Sequence, residues 1–141
     1  MPRIRIFPGR LFLSGLAGWG VILTIGMASL AADRTFPFDS ELLLDAKPMK
    51  GSKRVPVMTI GPNGEAVIDL WCSSFQGQIV VVESTITVMV GAKTEQSCDA
   101  ARERGDDDLL TALQQATSWS KDGDVLTLRG AKTLRFRPAT N

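Results

Sequence analysis

Apolar and polar positions follow two regimes along the chain. Between residues 11 and 27 nothing is charged, and Leu, Ile, Val, Gly and Phe dominate. Beyond Asp33 the apolar residues come in short runs, each bounded by Gly, Pro, Asn or charge, which is the spacing of strands. The first run is 41–45, closed by Glu41 and Asp45. Residues 47–54, with Pro48, Gly51, Lys47, Lys50, Lys53 and Arg54, predict a solvated surface loop. A strand is expected over 55–60, at a sheet edge because Pro56 cannot donate to a ladder. Gly61-Pro62-Asn63-Gly64 predicts a tight turn, since Asn-Gly readily takes positive φ. Over 65–72 the chain returns with Ala66, Ile68 and Leu70 on one face and Val67, Asp69 and Trp71 on the other. The β-branched runs 78–83 and 85–90 follow, split at Glu83-Ser84. Connections this short predict an antiparallel meander in place of βαβ units.

One helix is expected between Ser97 and Ser118. Ser97 is the candidate N-cap of a first turn over 99–103, which Gly105 interrupts. A stronger start follows at Asp106-Asp107-Asp108, where carboxylates suit the positive end of the helix dipole. Leu109, Leu110, Leu113 and Ala116 have the spacing of a buried stripe. The chain then closes with a hairpin. Leu126 and Leu128 alternate with Val125, Thr127 and Arg129, and Leu134 and Phe136 alternate with Thr133, Arg135 and Arg137, across a turn at Gly130-Ala131. The fold class that follows is α+β, mostly β: a curved antiparallel sheet or incomplete barrel with one helix packed against it.

The front of the chain has the layout of a secretory signal over 1–31. Arg3, Arg5 and Arg10 precede the uncharged run, and Ala28, Ser29, Ala31 and Ala32 supply the small side chains a signal peptidase requires, with cleavage after Ala31 or Ala32. The alternative is a retained membrane anchor, for which the run is short and broken by Gly15, Gly18, Gly20 and Gly26. The absence of Cys near the cleavage region argues against a lipoprotein. The localisation expected is periplasmic or secreted, or the inner membrane if the segment stays. Residues 33–141 then form a single domain.

The chain carries 16 Lys and Arg against 15 Asp and Glu; loss of Arg3, Arg5 and Arg10 with the leader leaves 13 against 15, a net charge near −2. That balance gives no overall attraction to nucleic acid or to an anionic membrane. Cys72 and Cys98, 26 residues apart, predict a disulfide in an oxidising compartment, contributing roughly 3 kcal/mol by the chain-entropy estimate. A metal site would need further ligands and there is no His; a thiol oxidoreductase would carry a C-x-x-C pair, and none is present.

The second half of the chain resembles the META domain family, which includes heat-inducible envelope proteins of the HslJ type. The resemblance rests on Cys72 closing an early strand, Cys98 before a helix, the acidic run Asp106 to Asp108, the Gly123-Asp124 turn and the closing Leu134-Arg135-Phe136. It runs from about Val67 to Pro138 and departs from the family at Trp71-Cys72-Ser73 and Gln96-Ser97-Cys98. It implies an incomplete barrel with a helix against its opening, a role in envelope stress or integrity, and no catalytic residues.

Candidate chemistry is sparse. With no His, nucleophilic catalysis would fall to the adjacent pairs Ser52-Lys53 and Ser120-Lys121, which are badly placed to face each other. The three aspartates lack the spacing of a calcium loop. No cofactor and no metal are expected. Trp71 and Trp119, and Arg129, Arg135 and Arg137, are the ligand-binding candidates; core packing and a solvated strand face are the readings their positions favour. Three function classes remain: a non-enzymatic envelope protein, a carrier or pilot holding a lipid or other hydrophobic ligand between sheet and helix, and an adaptor or inhibitor that binds another envelope protein by an exposed edge such as the Pro56 strand.

Overall fold

A computed structural model of the chain describes residues 35–94 and 96–140. The leader and its cleavage positions lie outside the described residues. The described residues form eight strands and one helix: β1 (Ser40–Leu44), β2 (Val57–Ile60), β3 (Glu65–Asp69), β4 (Ser74–Val82), β5 (Thr85–Thr94), α1 (Ala100–Gln114), β6 (Ser118–Asp122), β7 (Val125–Arg129) and β8 (Thr133–Pro138). Every neighbouring pair is antiparallel, and the sheet returns on itself where β8 pairs with β1. The first two strands therefore belong to the same sheet as the rest.

Alternation decides the inside. Leu42, Leu44, Met58, Ile60, Ala66, Ile68, Ile79, Ile86, Val88, Leu126, Leu128 and Phe136 are all buried, while residues between them on each strand face outward. The period-two pattern of the sequence maps directly onto this core. Gly64 closes the β2–β3 turn at φ +84°, and a Cβ there would sit 2.2 Å from the carbonyl oxygen of Ile79. It is this glycine, not Asn63, that takes the positive φ.

The wall is uneven. β4 and β5 share a long ladder with one irregularity between Phe75 and Gly77, whereas β5 and β6 meet at a single register pair, Thr85 and Ser118. The helix covers one end of the sheet. It touches the β1–β2 loop through Met49 at Gly105, the β3–β4 turn through Asp106, and the β7–β8 turn where Gly130 approaches the Gln115 carbonyl. Three connections at the same end of the sheet thus meet one helix, which lies across that end. Leu109, Ala112 and Leu113 are its buried apolar residues.

Several expectations are corrected. The helix runs unbroken through Gly105, and its N-cap is Asp99, whose side chain accepts from the backbone of Ala101 and Arg102; Ser97 does not cap it. Gly105 is present because a Cβ there would fall 2.4 Å from the Met49 methyl and 3.3 Å from the Trp71 ring. Asp106 to Asp108 lie mid-helix, not at a helix start. Strand β6 was not expected, and Trp119 sits within it. Pro56 is buried just before β2, which pairs on both sides with β1 and β3, so the edge expected there does not exist. Trp71 does not continue the outer face of β3, because the strand ends at Asp69 and the chain turns inward.

Candidate functional site

The densest cluster of interactions outside the ladders joins the β3–β4 turn to the helix. Residues Trp71, Cys72 and Ser73 turn beneath the barrel with their backbone N–H groups buried and pointing at one place. The Asp106 carboxylate occupies it, accepting from Trp71 N at 2.9 Å, from Cys72 N at 3.2 Å and from Ser73 N at 2.7 Å. Asp106 is 2% exposed, so its charge rests on these donors in place of water. Beside it, Cys72 and Cys98 lie at disulfide distance, with sulfurs 1.98 Å and Cα atoms 6.0 Å apart. The pair ties the same turn to the segment leading into the helix. The arrangement is an internal clasp: its carboxylate accepts from three backbone donors.

Sequence reasoning missed Asp106 as an individual residue. The available signal is its helical phase: Asp106, Leu109 and Leu113 fall on one stripe, and all three are buried. Asp107 and Asp108 are exposed, and among the described residues no group of three or more potential metal ligands gathers.

The predicted site residues do not converge. Trp71 is buried against the helix, and its indole N–H has no acceptor among the described residues. Trp119 lies at the opposite end of the barrel, where its indole N–H donates to the Glu83 carbonyl at 2.8 Å and its ring meets Phe36 edge-on at 5.1 Å. Arg129, Arg135 and Arg137 are exposed on the outer wall of β7 and β8. Arg129 donates to the Ser120 hydroxyl at 2.7 Å, and Arg137 approaches Asp45 at 3.5 Å. The Ser52 hydroxyl accepts from the Arg54 backbone N–H.

Two of the depressions among the described residues open on the outer wall. One, of roughly 310 Å³, lies over β2–β4 and is lined by Thr59, Ala66, Val67, Gln76 and Gly77 among others. The other, of roughly 370 Å³, is lined by Leu43, Asp124, Val125, Arg137, Pro138 and Thr140. The space between sheet and helix is occupied by Trp71, Phe75, Leu109 and Leu113.

Two solved structures share the architecture, which at their identities concerns the fold alone. A protein from Burkholderia xenovorans, solved by NMR, superposes with a TM-score of 0.60 at 14% identity, covering 96% of this chain and 100% of its own. A second NMR structure superposes with a TM-score of 0.57 at 21% identity, covering 70% of this chain and 88% of its own. No curated protein matches the sequence significantly. The META domain model matches residues 38–141, from the segment entering β1 to the end of the chain. With the match spanning most of the sequence and the clasp residues inside it, the chain belongs to the META domain family.

Proposed function

We propose that this META domain protein is exported and acts without catalysis at the cell envelope, in a stress or integrity role exerted through contacts of its surface. The observation that carries the reading is the pairing of a signal-like front, with Arg3, Arg5 and Arg10 before an uncharged run, and a small domain whose two cysteines lie at disulfide distance. Disulfides persist outside the reducing cytoplasm, and a domain of this size gains most from one. The carrier reading draws little support, because Leu109, Leu113, Trp71 and Phe75 fill the space where its groove would lie. The adaptor reading draws more. Val67, Val80, Val82 and Met89 stand 43%, 43%, 65% and 49% exposed on the outer wall of β3–β5, a cluster that suits protein contact better than water.

The test is the intact mass of protein recovered from a bacterial periplasm, before and after reduction and alkylation. The expected result is a chain starting at Ala32 or Asp33 whose thiols appear only after reduction. Full-length mass with free thiols overturns the export reading. Mass removed by organic extraction revives the carrier.

A further inference from the structure

We propose that the outer wall around the β8–β1 closure is a docking surface for an anionic lipid bilayer. Net charge conceals this surface. Eight cations fall in two segments far apart in sequence: Lys47, Lys50, Lys53 and Arg54 in the β1–β2 loop, and Arg129, Lys132, Arg135 and Arg137 in the last hairpin. The fold joins these segments. β8 pairs with β1 with Arg137 opposite Leu43, and the loop leaves β1 at Asp45, whose N–H donates to the Arg135 carbonyl at 2.8 Å. All eight cationic residues are exposed. Within those two segments the one carboxylate is Asp45, held 3.5 Å from Arg137 with both side chains about half exposed, a contact that water screens. Glu41 precedes Leu42 on β1, and Asp124 lines the depression beside Val125. The two segments therefore carry a local excess of positive charge that the net charge hides.

The chemistry beside the cations selects the partner. The depression lined by Leu43, Val125 and Pro138, together with Arg137, Asp124 and Thr140, opens on this same wall. A guanidinium next to an apolar floor suits an amphiphile, with a headgroup phosphate on the arginine and acyl carbon against Leu43 and Val125. A soluble polyanion has no use for that floor. Nucleic acid is disfavoured by the lack of stacking platforms: of the described aromatic side chains only Phe38 is exposed, and it precedes β1 at the other end of the barrel. The cations of the hairpin stand on an outward-facing strand wall and those of the loop at its rim, an open arrangement that suits an extended planar partner. The proposal deepens the envelope reading by naming the component met, and the test compares forms that share the same leader, so its failure leaves the export reading standing.

The experiment is co-sedimentation of the full chain with phosphatidylcholine vesicles and with vesicles of phosphatidylcholine and phosphatidylglycerol, across a salt series. Arg135→Glu, Lys53→Glu and Lys93→Glu are compared; each makes the same change in charge, and Lys93 lies on β5 away from the wall. The leader is common to all forms, so differences between them belong to the domain. Each basic residue near an anionic surface contributes about a fivefold factor in binding. Arg135→Glu and Lys53→Glu should each weaken partitioning onto the anionic vesicles about tenfold, and Lys93→Glu at most about twofold. The loss should shrink as salt rises. Since all three side chains are exposed, near-ultraviolet dichroism should be unchanged. Equal weakening by all three variants, or none by the first two, overturns the proposal. So does polyphosphate that binds as tightly as the vesicles with the same sensitivity, which would make the wall a site for soluble polyanions.

Discussion

The two ends of the barrel are closed by different physics. At one end, α1 is held across the opening by the Asp106 carboxylate on three backbone N–H groups and by the Cys72–Cys98 pair. At the other, Phe36 packs edge-on against Trp119, whose indole N–H reaches the Glu83 carbonyl. The reason lies in what each end leaves unpaired. The turn over 70–73 runs beneath the sheet with buried donors that no ladder reaches, so a charged acceptor is required. The β4–β5 turn at the far end is short and exposed, and its Glu83 and Ser84 carbonyls accept from the indole and backbone N–H groups of Trp119. A buried polar turn demands a specific partner; an exposed one needs only an apolar lid.

That contrast can be broken most severely at Asp106. Asp106→Ala leaves three buried donors without an acceptor and should cost about 4 kcal/mol in denaturant unfolding, a large share of a small domain's stability. Removing the covalent tie in a Cys72→Ala/Cys98→Ala double variant should cost about 3 kcal/mol, with amide exchange rising first over 70–73 and the start of α1. Phe36→Ala at the apolar end should cost about 3 kcal/mol and leave exchange in that turn unchanged. If the two ends are independent, the losses from Phe36→Ala and the cysteine pair add within about 0.5 kcal/mol; a larger coupling would show that the barrel transmits strain from end to end. The smallest effect lies at the helix cap. The Arg102 hydrogen bond holds the Asp99 carboxyl below its ordinary value of 3.8, so its contribution is full above that pH and fades as pH falls through the lowered value. Asp99→Asn keeps a capping oxygen and should flatten that acid limb slightly, leaving neutral pH unaffected.

Most strands could be read directly because alternation is a local property, and Leu126-Thr127-Leu128 or Ala66-Val67-Ile68 states it within a few residues. β6 escaped because Ser118 to Asp122 carries one apolar side chain, Trp119, and owes its strand form to pairing with β7. The clasp escaped for a related reason. Asp106 stands in an acidic run that resembles a helix start, and only burial separates it from Asp107 and Asp108.

By itself, then, the sequence determined the mostly β fold class, the alternating core, the pairing of its only two cysteines and the last hairpin, all of which follow from local periodicity or from simple counting. Tertiary structure alone decided that Gly105 admits Met49 and Trp71 instead of breaking the helix, that Asp106 serves backbone donors more than thirty residues away, and that β2 is no edge. It also decided that the strand leading into the basic first loop pairs with the last strand of the basic hairpin. Closure of a sheet joins the beginning of a chain to its end, and residues that far apart have no local signal of their adjacency.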